Sequence, residues 1–327
     1  METFKSFEGF LNKVNGQNFE DIALALYQFQ AENNKVYRSF ITHLGRRDVK
    51  STDSIPFLPI SFFKTQEIQS GVWTAETTFT SSGTGGPATS RHLVKDLSFY
   101  RHHAERVFVQ FFGPLNHYHF LALLPSYLER EGSSLVAMAD HFIRQSGSKH
   151  SRFYMNNQKE LVYKLEELKN SEKKVVLLGV SFALLDLAEK YPLDLSQCLI
   201  METGGMKGNR PEITREELHR YLCLRFNARF ILSEYGMTEL FSQAYSMGNG
   251  RFYAPSCVKI VIRDINDPFG RLPVGKTGAI NVIDMANIHS CAFIETQDLG
   301  KIHQDGSFEV LGRMDNSDIR GCNLLVE

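Results

Sequence analysis

The sequence is short of several things that would have pointed at once to a function class. It has almost no net charge, since 36 Lys and Arg face 37 Asp and Glu and leave a formal charge of -1. Without a basic field nothing draws the chain to nucleic acid, and no run of like charge marks a solvated tail. Its five cysteines, Cys198, Cys223, Cys257, Cys291 and Cys322, are odd in number, widely spaced and form no CxxC pair. That excludes a disulfide framework and a zinc knuckle. No uninterrupted apolar run approaches the roughly 18 residues of a membrane span, and Met1-Glu-Thr-Phe-Lys lacks the apolar stretch of a secretory leader. The expected location is the cytoplasm. Internal repeats and low-complexity linkers are missing as well.

What is present is an ordinary globular composition, 43% hydrophobic and 22% charged over 327 residues, enough for one large core or two medium ones. The first seventy residues read as a helical lead-in and an extended arm. Apolar residues recur at helical spacing over Phe19–Asn33, with acidic residues near its start. Two prolines in Ile55-Pro-Phe-Leu-Pro-Ile-Ser-Phe-Phe-Lys64 predict an extended segment there. From 71 to 250 strands and helices alternate. Helices are expected over Asp96–Phe111, over Leu161–Leu168, after Ser181 as a cap, and after the capping box Thr214-Arg-Glu-Glu217. Strands are expected at His117–Leu124, Val175–Val180, Cys198–Met201 and Arg229–Leu232. Such alternation implies a largely parallel α/β sheet with ligands beyond its carboxyl edge. From 251 to 327 the pattern turns β-rich, with strands at Val258–Ile262, Ala279–Ile283 and Ser307–Leu311. The three segments together form one expected core.

Three stretches carry chemistry. Phe79-Thr-Ser-Ser-Gly-Thr-Gly-Gly-Pro-Ala-Thr-Ser90 combines glycines, which let backbone approach a ligand, with amides and hydroxyls that can surround an anion. It is not a P-loop, because no lysine follows Gly86. Taken alone, it fits a plain surface loop equally well. Ser233-Glu-Tyr-Gly-Met-Thr-Glu239 follows an apolar strand and offers an aromatic ring, a hydroxyl and a carboxylate, the groups suited to a base, a phosphate and Mg²⁺. The third block is Glu295-Thr-Gln-Asp-Leu-Gly300, then Asp305-Gly306, then Gly312-Arg-Met-Asp315.

In this order and spacing the segments resemble the adenylate-forming superfamily of acyl-CoA ligases, luciferases and nonribosomal peptide adenylation domains. The resemblance covers most of the chain, and its motifs are specific as a set. It implies an α/β fold of the superfamily's N-terminal-domain type, with ATP and Mg²⁺ as cofactors. Thr80, Ser81, Ser82, Gly83, Thr84, Gly85 and Gly86 would hold the phosphates. Gly204 and Gly205 would flank the adenine, Tyr235 and Gly236 would complete the nucleotide site, and Asp298 with Arg313 would hold the ribose hydroxyls. Thr238 would assist catalysis and Glu239 would bind Mg²⁺. Two departures stand out. Ala88 occupies a place where the superfamily often has lysine, leaving Arg91 and Lys207 as candidate cations. The sequence also ends seven residues after Arg320, so the superfamily's usual C-terminal lid domain is expected to be absent.

One branch of the superfamily resembles this plan, the acyl-protein synthetases of the bacterial luminescence fatty-acid reductase system. Ile55–Lys64, Leu123–Arg130 and Ser317-Asp-Ile-Arg-Gly-Cys-Asn-Leu-Leu325 carry that resemblance. It implies that a carboxylic acid, here a fatty acid, becomes an acyl-adenylate, moves to the Cys322 thiol as a thioester, and passes to a partner such as a fatty-acid reductase. Arg320 would favour the thiolate. An acyl- or aryl-CoA ligase and an inactive nucleotide-binding scaffold are the rival expectations. Ser61-Phe-Phe-Lys64 with Lys276-Thr-Gly278 imitates a penicillin-binding enzyme, but in an expected extended arm its serine would not open a helix. His117 and His119 would share a strand face, yet no further ligand lies at a telling spacing, so hydrogen-bonded histidines are expected. The 25 phenylalanines permit an apolar acyl pocket without requiring one.

Overall fold

Strands covered on both faces read as unbroken apolar runs, and Tyr118–Leu123 and Lys174–Gly179 behave in this way. All six residues of the first are buried, as are the last five of the second. The computed structural model describes residues 3–81, 89–124, 132–204 and 213–314. Its strands are, in chain order, β1 (Leu58–Pro59), β2 (Thr77–Thr80), β3 (Arg91–Val94), β4 (Tyr118–Leu123), β5 (Arg152–Phe153), β6 (Lys174–Gly179) and β7 (Leu199–Glu202). They continue with β8 (Leu232–Tyr235), β9 (Ala244–Ser246), β10 (Arg251–Tyr253), β11 (Val258–Arg263), β12 (Gly278–Asp284), β13 (Phe293–Ile302) and β14 (Phe308–Arg313). Contacts among the described residues divide them into two units, one of 63–67 and 73–255, the other of the residues up to 62, 68–72 and those from 256.

In the larger unit the strand order is β10-β9-β8-β7-β6-β4-β5. Pairing is parallel from β5 through β8 and antiparallel at β9 and β10. Helices cover both faces because β4 alternates its side chains. Phe120 turns to Phe108 of helix Leu97–Phe112 and Phe142 of helix Ser134–Gln145, at 5.5 and 5.6 Å between ring centroids. Leu121 and Leu123 turn the other way, into a core shared with Leu161, Leu184, Leu218 and Leu222. The capping box at Thr214 forms as expected and opens helix Arg215–Phe226. A separate two-stranded sheet, β2 with β3, brackets the glycine-rich run.

In the other unit β11, β12, β13 and β14 pair antiparallel in that order, and β1 lies parallel to β13. Helix Phe19–Asn33 has the bounds its periodicity predicts. Its Gln30 is fully buried and ties chain segments more than 250 residues apart. Nε2 donates to the carbonyls of Asn287 and Ile288 at 2.9 and 3.1 Å, and Oε1 accepts from the Ala292 amide at 2.9 Å. Asn34 does the same one turn later, donating to Ser290 at 2.9 Å and accepting from Tyr37 at 2.9 Å.

Several expectations need correction. Ser181 is not a cap: Val180 holds that position, Ser181 is the first helical residue, and its hydroxyl donates elsewhere. The strand expected at Arg229–Leu232 lies three residues later, so Tyr235 ends β8 instead of following it. His117 belongs to a 3-10 turn and shares no strand with His119. The extended arm stops at Ser61, since Phe62–Thr65 forms one helical turn. Finally, Glu295–Gly300 is the middle of the long strand β13.

Because Gln30 satisfies three buried backbone groups, Gln30→Leu should destabilise the chain by about 2–4 kcal/mol in urea unfolding. A loss below about 1 kcal/mol would show that those groups find other partners.

Candidate functional site

Parallel strands end on one edge, and the polar residues that follow them must be held there by specific partners. Glu202, the last residue of β7, organises that edge. Its side chain is only 3% exposed. Oε2 accepts from the Gly204 amide at 2.7 Å and the Ser181 hydroxyl at 3.1 Å, while Arg215 Nε approaches Oε1 at 3.3 Å and His219 Nε2 at 3.5 Å. Burial alone would raise this carboxyl. Hydrogen bonds from His219, the Arg215 charge, the Gly204 amide and Ser233 more than offset it and hold it at about 2. Gly204 is fixed from both sides, since its carbonyl also accepts from the Ser181 amide at 2.8 Å. Its φ of +74° is one that glycine adopts freely, and a Cβ there would meet nothing within 4 Å.

The neighbouring strand β8 delivers Tyr235 and the turn beyond it. Tyr235 packs edge-on against Phe252 at 5.9 Å, and Arg215 lies over that ring at 5.0 Å. Gly236 is needed for space: an ideal Cβ would collide with Glu234 Oε1. Thr238 is partly buried and Glu239 is 5% exposed. Sequence reasoning passed over the residue that anchors this turn. His92, in β3, is 1% exposed and bonds through Nδ1 to the Thr238 carbonyl at 2.9 Å. A carbonyl only accepts, so Nδ1 carries the proton. The ring stacks on Phe241 at 4.6 Å, and burial pushes its pKa down to about 4 against a smaller upward pull from that hydrogen bond. No spacing rule would have linked positions 92 and 238.

His92 therefore joins the motif turn to the hairpin that carries the glycine-rich run. Thr80 ends β2, and its amide donates to the Gly132 carbonyl at 2.7 Å. The Ser81 amide donates to Ser90 at 3.1 Å, and the Ser90 amide returns a bond to the Ser81 hydroxyl at 3.0 Å. This narrows one expectation, because the Thr80 amide is committed to Gly132 and the Ser81 amide to the hairpin, so neither faces phosphate. Their hydroxyl protons remain. Arg91 is exposed in β3. Ser82, Gly83, Thr84, Gly85, Gly86, Ala88, Gly205, Lys207, Arg320 and Cys322 lie outside the described residues.

In the other unit Asp298 and Arg313 are cross-strand partners in the β13–β14 register. Arg313 Nε lies 3.7 Å from Asp298 Oδ1, with the arginine half exposed and the carboxylate largely buried. The Asp298 amide donates to Thr296 Oγ1 at 3.1 Å, which fixes the strand just before it. The pairing of these two residues was legible as a motif; its register was not.

Several arrangements imitate catalytic pairs. His103 Nε2 lies 2.7 Å from Ser242 Oγ, both buried. Arg106 donates to His103 Nδ1 at 3.3 Å, so the proton sits on Nε2 and the ring cannot act as base toward the serine. Burial and then Arg106 push that imidazole down to about 3. His119 spends both ring nitrogens on Ser148 and Ser171, at 2.6 and 2.8 Å. Ser61 does precede a helical turn, contrary to expectation, but that turn has only four residues.

Glu234 faces away from Glu202 and titrates oppositely. Burial, then the Glu202 charge, raises it to about 8. A carboxyl raised in the fold adds stability as pH falls from about 8 towards its unfolded value, whereas the neutral His92 and His103 lose stability as pH falls below about 6.5. Glu234→Gln removes the opposing group. Its urea-unfolding free energy should fall more steeply from pH 7 to 5 than that of the parent, by about 2 kcal/mol. Equal slopes would refute the raised carboxyl.

No protein-family model matches the chain, and no curated protein matches it. Among solved structures it is similar to ATP-bound MatB from Rhodopseudomonas palustris, with a TM-score of 0.54 and 18% identity over 74% of this chain and 49% of that one. An ATP-bound RpMatB–BxBclM chimera gives a TM-score of 0.55 at 18% identity, with coverages of 74% and 49%. Apo MatB from Rhodopseudomonas palustris gives 0.52 at 18% identity, with coverages of 73% and 48%. The chain spans about half the length of these structures. Among the described residues no helix is long and apolar enough to cross a membrane. This chain has the mixed α/β fold of the N-terminal domain of adenylate-forming enzymes.

Proposed function

We propose that the chain uses ATP to convert a carboxylic acid into an acyl-adenylate. The observation that supports it best is the hydrogen bond from His92 to Thr238, which holds the Tyr235–Glu239 turn against the hairpin bearing the Thr80–Ser90 run. Two motifs far apart in sequence are thereby fixed to one another within one unit. The ATP-bound state of two similar structures favours the same substrate. Tyr235 and the open side of Gly204 suit a flat base, and the Thr80 and Ser81 hydroxyls suit phosphate oxygens. Mg²⁺ usually takes one or two carboxylates beside phosphate oxygens and water, so a single buried carboxylate, Glu239, fits its donor set. When bound, the ion would neutralise phosphate charge.

In the first half-reaction an oxygen of the acid's carboxylate attacks the α-phosphorus of ATP. The bond to the β-phosphate oxygen breaks, and pyrophosphate leaves with that electron pair. Amides and hydroxyls pre-aimed at the phosphates lower the barrier by several kcal/mol in sites of this kind, roughly 3–4 for a single donor. In the second half, the Cys322 thiolate attacks the acyl carbonyl, AMP departs and a thioester forms. The resemblance to acyl-protein synthetases supports a fatty acid as substrate and a reductase as the next acceptor.

Acid-dependent ATP–pyrophosphate exchange should appear with the purified chain, and Glu239→Gln should lower its rate by about 100-fold or more. A chain that binds nucleotide but exchanges with no acid is a scaffold, which sinks the proposal. Intact-mass measurement after incubation with acid and ATP should show an acyl adduct that disappears in Cys322→Ala. An adduct retained in that variant, or acyl-CoA formation indifferent to it, would assign the second half to another acceptor.

A further inference from the structure

The face of β8 that looks away from Glu202 holds a second polar group among aromatic rings. Glu234 and Tyr245 are register partners across β8 and β9, so their side chains rise from the same face. Tyr245 is fully buried, with its ring 5.4 Å from Phe111 and 5.2 Å from Phe112. Its hydroxyl has no hydrogen-bond partner among the described residues. The buried Gln243 donates through Nε2 to the Phe241 carbonyl at 3.1 Å, which leaves Oε1 as the acceptor, also without a partner among the described residues. Thr203, the residue after β7, also has a buried Oγ1 without a partner among the described residues.

Glu234 and Gln243 meet beside Gly236. Glu234 Oε1 occupies the space that a Cβ on Gly236 would need, and Gln243 Cγ lies 3.6 Å from the same point. Tyr245 senses the Glu234 charge after the larger effect of its own burial. Buried polar atoms without partners are costly, and a native fold carries few of them. Gln243 beside the Glu234 carboxyl and Tyr245 across the strand pair, each with such an atom, form a site whose partners arrive with a ligand. Gly236, which lies against Glu234 Oε1, is exposed and stands two residues before Thr238.

The donor set selects the ligand. Gln243 Oε1 can only accept, a neutral Glu234 carboxyl can donate, and the Tyr245 and Thr203 hydroxyls do either. A methylene chain satisfies none of these, and an oxo group would leave Gln243 unmet. A hydroxyl donates and accepts at once. We infer that the acid activated by this chain carries a hydroxyl within a few bonds of its carboxyl, held by Glu234, Gln243 and Tyr245. The inference rests on the adenylation proposal and narrows its substrate from a fatty acid to a hydroxy acid.

The test is pyrophosphate exchange with straight-chain acids and their 2- and 3-hydroxy counterparts. At some chain length a hydroxy acid should exceed its parent by about tenfold or more in kcat/KM, because a site built for a hydroxyl rejects the analogue lacking it. Tyr245→Phe and Gln243→Met should each shrink that ratio to within about threefold. Tyr245→Phe should also melt about 1–2 °C higher, since it deletes an unpartnered buried hydroxyl. Unsubstituted acids used as well as hydroxy acids, a ratio unmoved in both variants, or a lower melting point for Tyr245→Phe would overturn the inference and leave adenylation standing. Exchange with no acid at all would remove the adenylation proposal, and this inference with it.

Discussion

The carboxyl edge of the sheet in the larger unit depends on one buried charge. Glu202 sits at the end of β7 with its side chain 3% exposed, and an isolated carboxylate in such a place would neutralise itself by taking a proton. It stays ionised because four elements converge on it: the first residue of the helix after β6, the Gly204 turn, helix Arg215–Phe226 through Arg215 and His219, and Ser233 of β8. Removing any one partner would leave charge uncompensated, which is far more damaging than losing a surface pair. The carboxylate thus fixes the relative positions of the ends of β6, β7 and β8. Those ends carry Gly204 and Tyr235.

Two carboxyls on neighbouring strands, Glu202 of β7 and Glu234 of β8, have opposite fates. Ser233 and Tyr235 rise from the Glu202 face, and Glu234 rises from the other. On the first face cationic and N–H donors hold Glu202 down at about 2. On the second, aromatic packing supplies no countercharge, and the already ionised Glu202 adds repulsion through the sheet, so Glu234 titrates at about 8. One ionised and one neutral carboxyl, produced by environment alone, allow a single sheet edge to fix backbone on one side and offer a donor on the other. A strand with period two is what makes such a division possible.

Much of this was legible in the sequence, and the failures have physical causes. Helix Phe19–Asn33 followed from periodicity, and the helix after Thr214 from a capping box, both local effects. The parallel strands β4 and β6 announced themselves as apolar runs. The strand β13 did not, because Glu295, Thr296 and Asp298 interrupt its hydrophobicity for the sake of partners elsewhere: Glu295 pairs with Arg263 at 3.1 Å and Thr296 donates to the Ile280 carbonyl at 2.7 Å. Ser181 looked like a cap because serine caps helices, but tertiary demand from Glu202 took its hydroxyl instead. The candidate nucleotide residues were legible as motifs. Their supports, Glu202 and His92, were not, and neither was the role of Gln30 at Asn287–Ala292, since each acts through tertiary partners that no local pattern encodes.

The hairpin shows how such supports redistribute chemistry. An anion cradle built from a glycine-rich run is often pictured as a string of equivalent amides. Here the run's two ends are different in kind. The Ser81 amide closes the β2–β3 hairpin on Ser90 and the Thr80 amide is bound outside it to Gly132, so these residues offer hydroxyls in place of amides. Ser81 Oγ already accepts from the Ser90 amide at 3.0 Å, which leaves its proton free and directs it away from that amide. A hydroxyl that accepts on one side becomes a better donor on the other, because hydrogen bonds in a chain polarise one another. Rigidity at the ends, set by β-pairing and by His92 against Thr238, therefore sharpens the donors that flank the run.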